Sequence, residues 1–154
     1  MSVPLASEAK IPNPHLAALA PLIGVWTTVG RHAMIPDVTL HGRTAFEWHE
    51  GGAFLCMRTE IDEPGIPSAI AIIGSDDGAN ALTMLYFDER TVARRFDVAV
   101  DGATVRWART APGFAQRFVL TIGPDGDTLR GVSALSRDDA TWEQDLELRY
   151  TRLA

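Results

Sequence analysis

The sequence predicts an all-β protein: an up-and-down antiparallel closed barrel of about ten strands, with a short N-terminal helix plugging one mouth. Three observations lead there. From Gly24 to the end, short apolar-rich runs alternate with turn signals, and no long helical pattern interrupts them. The connections are too short for parallel crossovers, which need about a dozen residues. In the last run Trp142, Gln144, Leu146, Leu148 and Tyr150 alternate with Thr141, Glu143, Asp145, Glu147 and Arg149, a period of two with one apolar and one charged face. Closing such a meander removes the two exposed edges of an open sheet.

Residues 1–12 contain Pro4 and Pro12 and no periodicity, and read as a flexible arm or a strap over the barrel. Residues 13–154 read as one barrel domain. Asn13 is a good N-cap with Pro14 at the first helical position, and Leu16, Leu19 and Leu22 supply an apolar face for a helix ending near Pro21. So short a helix is marginal alone and must dock, most simply on a barrel mouth. The stretch Ile23–His32 then reads as the first strand, with Trp26 as its inward anchor and Gly24 and Gly30 where the backbone bends or approaches a neighbour closely. Further strands are expected at about 38–49, 52–62, 67–75, 80–88, 91–100, 103–110, 114–122, 127–136 and 140–152. The turns between them are rich in Gly, Asp and Asn, which tolerate hairpin dihedrals.

The 154 residues suffice for one domain that folds without staples. A net charge of −6 argues against nucleic acid or an anionic membrane surface as partner. The single cysteine, Cys56, cannot form an internal disulfide. With no signal-peptide pattern and no apolar run near 18 residues, a cytoplasmic location is the expectation.

The opening PHLAALAPLIGVWTTVG, its Gly-x-Trp on the first strand, and about ten short strands ending in WEQDLELRYTR resemble the calycin-like barrels, the lipocalin and fatty-acid-binding group. Within it the chain is most similar to nitrobindin-like, largely uncharacterised bacterial proteins. That resemblance implies a small apolar or amphipathic ligand inside the barrel, and in the nitrobindin branch haem held by a histidine of the last strand. Here Thr141–Leu153 has no histidine; His15, His32, His41 and His49 all precede it. The haem ligand has no counterpart, and no cofactor is expected.

Polar groups on an inward face are the informative signal in a barrel, because a barrel filled for stability alone would use aliphatic side chains. Inward parity selects Arg94, Tyr86, Gln116, Gln144 and Ser133, with His32 and Arg58 as additions, beside the aromatic walls Trp107, Phe118 and Trp142. The parity of the third strand stays open between Phe54, Cys56, Arg58, Glu60 and Leu55, Met57, Thr59, Ile61. Arg94 is the sharpest candidate: a buried guanidinium is always charged and needs an acceptor, either a ligand carboxylate or enolate, or an internal partner such as Glu60 or Asp88. His32, placed near the helix plug, could act as acid or base, or merely sit at the rim. His41, Glu47 and His49 share a strand face, but their spacing of about 20 and 7 Å separates His41 from the others, so no metal site is expected.

The first reading is therefore binding of a small hydrophobic or amphipathic molecule in the barrel, with Arg94, Tyr86, Gln116 and Gln144 orienting its polar end. Alternatives are an isomerase- or cyclase-type enzyme using the same cavity, and a filled barrel acting through its surface, with a homodimer along an exposed strand face left open. No phosphate loop, GxSxG, HExxH or CxxC is present.

Overall fold

Ten antiparallel strands follow one another around a closed barrel: β1 (Gly24–His32), β2 (Leu40–His49), β3 (Phe54–Ile61), β4 (Ala69–Ser75), β5 (Leu82–Asp88), β6 (Ala93–Asp101), β7 (Thr104–Arg109), β8 (Ala115–Ile122), β9 (Thr128–Ser136) and β10 (Glu143–Arg152). The computed structural model describes residues 5–78 and 81–153; the expected start of the fifth strand at residue 80 and the first four residues of the expected arm lie outside them. Each strand pairs with its sequence neighbours, and β1 closes the barrel on β10 with Trp26 opposite Arg152 and His32 opposite Leu146. Strand boundaries fall within three residues of the sequence-based spans because Gly, Asp and Pro mark nearly every turn.

The meander sends all odd strands one way, so the barrel has two distinct mouths. At the mouth where β1 begins lies the plug, Pro14–Leu22, a 3-10 helix rather than the α-helix its composition suggests. The reason is its spacing: Leu16, Leu19 and Leu22 recur every third residue, the period at which 3-10 side chains stack on one line, and all three are fully buried. Each contributes roughly 1.5–3 kcal/mol by leaving water. The Asn13 side chain accepts from His15 N at 3.0 Å and donates to Ser75 Oγ at 2.9 Å, tying the helix start to the end of β4.

Arg152 locks the other end of the plug. Its guanidinium donates to Ile23 O at 2.7 Å and Pro21 O at 2.9 Å, and its Cζ lies 4.2 Å from the centre of the Trp26 ring. Trp26 in turn donates from Nε1 to Leu22 O at 2.9 Å. Gly24, at φ +137, takes a backbone conformation that other residues rarely adopt, and a side chain there would strike Arg152 Nη1 at 2.7 Å. Above the plug the core is dense: Trp26, Phe46, Leu55, Ile73, Met84, Val105, Leu120 and Tyr150 are all at 0–1% exposure.

Candidate functional site in the far mouth

The mouth away from the plug is formed where β1, β3, β5, β7 and β9 end and their partners begin, and it carries the polar inner wall. Along β6 to β9 the inner wall is not fully sealed: Phe96, Val98, Trp107, Phe118 and Leu135 keep 7–8% exposure. The Trp107 and Phe118 rings, cross-strand neighbours, stack with centroids 4.5 Å apart and 5° between planes. The Phe118 ring fits because residue 131 has no side chain. Tyr86 meets Phe96 edge-on at 6.1 Å.

Around this aromatic wall the strand ends set a polar arc. Tyr86 donates from its hydroxyl to Asp88 Oδ2 at 2.7 Å, and the same carboxylate is gripped by Arg90 at 2.6 Å from Nη2 and 3.2 Å from Nε. Burial works to raise the Asp88 pKa, but the hydrogen bonds from Arg90 and Tyr86 outweigh it and hold the carboxyl at about 2. Burial, reinforced by the bond to Asp88, pushes the Tyr86 phenol up to about 12, so it stays a donor at neutral pH. Arg94, cross-strand from Tyr86, donates from Nη1 to Gln116 Oε1 at 3.0 Å and lies over the Phe114 ring at 5.5 Å. Burial, then the charges of Arg90 and Arg109, lower its pKa.

Tyr86, Arg94, Gln116, Trp107 and Phe118 thus stand together on the inner wall as their parity indicates. His32 also faces inward, but at the far mouth and not beside the plug, since β1 runs away from it. Its Nδ1 accepts from Met34 N at 3.1 Å. The remaining candidates are elsewhere. Arg58 is exposed on the outer wall, because it is Met57, opposite buried Phe46 and Ala71, that faces in. Gln144 is exposed and aligned with Ala134 and Arg117 outside, because a bulge between Gln144 and Leu146 reverses the alternation. Trp142 lies outside as well, with Arg117 Cζ 4.0 Å from its ring centre.

Several further inner-wall groups lie outside the set of candidate site residues. The bulge directs Asp145 onto Ser133, whose hydroxyl donates to the carboxylate. Thr28 and Thr44, both buried, share a hydroxyl hydrogen bond of 2.8 Å, and Thr44 lies 3.5 Å from the Thr59 hydroxyl. Arg109 ends β7 directly opposite Gln116, and Asp88 ends β5; both follow from extending the parity of Trp107 and Tyr86 by one step. A shallow depression of about 350 Å³ on the outer wall is bordered by Arg58, Ile70 and Phe87, a second is bordered by Arg130, Arg149 and Tyr150, and neither includes Trp107 or Phe118. Among the described residues no cluster of three or more His, Cys, Asp or Glu could hold a metal, and His41, Glu47 and His49 are exposed on the outer wall.

Comparison with models of known protein families and with curated proteins returns no match. Among solved structures, the crystal structure of Rv2717c from M. tuberculosis is similar, with a TM-score of 0.66 at 17% identity over 94% of this chain and 100% of that one. At that identity the likeness is one of fold: the two chains share the barrel.

Proposed function

We propose that the protein binds a small amphipathic molecule in the far mouth, its apolar body against Trp107, Phe118 and Phe96 and its polar end among Tyr86, Arg94 and Gln116. One observation carries this reading. Trp107, Phe118 and Phe96 keep 7–8% exposure where Trp26, Phe46 and Tyr150 keep 0–1%, so solvent reaches this aromatic wall. An accessible apolar wall with a few convergent polar groups has the composition of a small-molecule site. The bond from Arg94 to a neutral amide leaves that guanidinium with donors to spare.

Native mass spectrometry of the purified protein tests whether it carries a ligand, and thermal shift with a panel of small amphiphiles tests whether it takes one up. An occupant at 100 times its Kd adds about 2.7 kcal/mol of stability, a rise of roughly 5–11 °C for a chain of this size. Trp142→Ala, on the outer wall, leaves that rise unchanged, whereas Trp107→Ala abolishes it. No carried ligand and no shift with any amphiphile sinks the proposal.

A further inference from the structure

Two carboxylates accept from inner-wall hydroxyls at the far mouth, and they are not equivalent. Asp88 is neutralised: Arg90 chelates it, Tyr86 donates to it, and its side chain is fully shielded. Asp145 is not. It is half-buried, its side chain accepts from the Ser133 hydroxyl alone, and among the described residues no arginine, lysine or histidine lies within ion-pair distance of it. A carboxylate can take about four hydrogen bonds, and one drawn partly out of water without a cation is costly to hold there.

The sheet register sets this carboxylate at one end of the aromatic wall. Val98, Trp107, Phe118, Ser133, Leu146 and His32 are successive cross-strand partners from β6 round to β1, so Ser133 stands directly opposite Phe118. The bulge brings Asp145 onto Ser133, and Ala33 fixes the bulged backbone by donating to Asp145 O at 2.7 Å. His32, at the end of the row, keeps its Nδ1 on Met34 N. Arg94 and Arg109 stand on β6 and β7, beyond the stack; at about 4.8 Å per strand, Arg109 lies about 14 Å from β10 along the wall. Aromatic faces attract cations, and a protonated amine is the group that a carboxylate beside them receives through charge-assisted hydrogen bonds.

We infer that the far mouth selects an organic amine, its apolar body on the Trp107 and Phe118 stack and its ammonium on Asp145, which Ser133 holds in place. This deepens the amphiphile reading above and rests on it, adding a second anchor across the stack from Tyr86, Arg94 and Gln116, which receive an acceptor group of the same ligand. The protein as a whole carries −6, so its global field draws the same sign of ligand.

Calorimetric titration with 4-phenylbutylamine and 4-phenylbutanol, which share one body and differ in head group, tests the inference. The amine binds about ten-fold more tightly than the alcohol, and in carbon-13 spectra it moves the Asp145 carboxyl resonance while the alcohol does not. Asp145→Asn removes the amine's advantage, keeps alcohol binding, and melts within about 2 °C of the wild type. Glu147→Gln, which removes an acid of the outer wall, leaves the advantage intact. Equal binding of amine and alcohol overturns the amine inference and leaves the amphiphile site standing. Failure of both to bind overturns both readings. An Asp145→Asn variant that keeps the full advantage overturns the assignment to Asp145, and so does a wild-type Asp145 carboxyl resonance that stays put at saturating amine, a result that needs no variant to fold.

Discussion

Replacing Gly131 by Ala tests the aromatic wall on which the site is built. A methyl group at residue 131 would overlap Phe118 Cζ and stand 2.9 Å from Phe118 Cε1 and 3.2 Å from Tyr150 Cε2. Tyr150 is fully buried and cannot retreat, so Phe118 must turn and its stack on Trp107 opens. Overpacking of this kind costs about 1–3 kcal/mol, and loss of the aromatic pair about 0.5–1.5 kcal/mol more. The gain from a less flexible unfolded chain returns about 0.4–1 kcal/mol. The net, about 1–3 kcal/mol, lowers the melting temperature by roughly 3–10 °C for a chain of this size. Phe118→Leu frees space at the same point, so the Gly131→Ala/Phe118→Leu double variant is more stable than the two single penalties predict, by about 1 kcal/mol in a double-mutant cycle. Urea unfolding of the four proteins, with near-UV circular dichroism to follow the Trp107 environment, decides it. A Gly131→Ala protein that melts within 1 °C of the wild type, or penalties that simply add, would refute the packing argument.

Three further outcomes follow from the same geometry. Arg152→Leu removes the hydrogen bonds to Pro21 O and Ile23 O and the contact with Trp26, and destabilises by about 2–4 kcal/mol; hydrogen exchange should show the plug helix opening more than the strands. Thr44→Val orphans the buried Thr28 hydroxyl and costs about 1–2 kcal/mol, whereas the Thr28→Val/Thr44→Val pair recovers most of that loss on denaturant titration. For Asp88 the folded pKa, about 2, lies below the ordinary value near 3.9, so its contribution of about 2 kcal/mol is complete above pH 4 and is lost as pH falls towards 2; Asp88→Asn flattens the stability profile over that interval in acid titrations followed by far-UV circular dichroism.

The order of strands was legible in the chain because a meander needs only local information. Each hairpin turn announces itself with Gly, Asp or Pro, and each strand pairs with the one just made. Parity carried equally far on β5 to β8, where alternation is unbroken and Tyr86, Arg94, Gln116, Trp107 and Phe118 fall on one wall. It failed on β10, where one extra residue turns Gln144 outward and directs Asp145 to Ser133; counting back from Tyr150 cannot reveal a bulge, since nothing in the local composition marks it.

What the sequence determined by itself was therefore everything that depends on neighbours along the chain: the turns, the strands, their succession, and the faces of those strands that run without interruption. The tertiary structure decided what depends on neighbours across it. Arg58 faces out because Met57 meets Phe46 and Ala71 on the two flanking strands, and Asp88 belongs to Arg90 and Tyr86 and not to Arg94. Arg94 and Arg109 become adjacent only when β6, β7 and β8 lie side by side in one particular register. Side-chain alternation is a property of a single strand, whereas charge pairing and accessibility are properties of the closed barrel, set by which strand ends share a mouth and by where the plug sits.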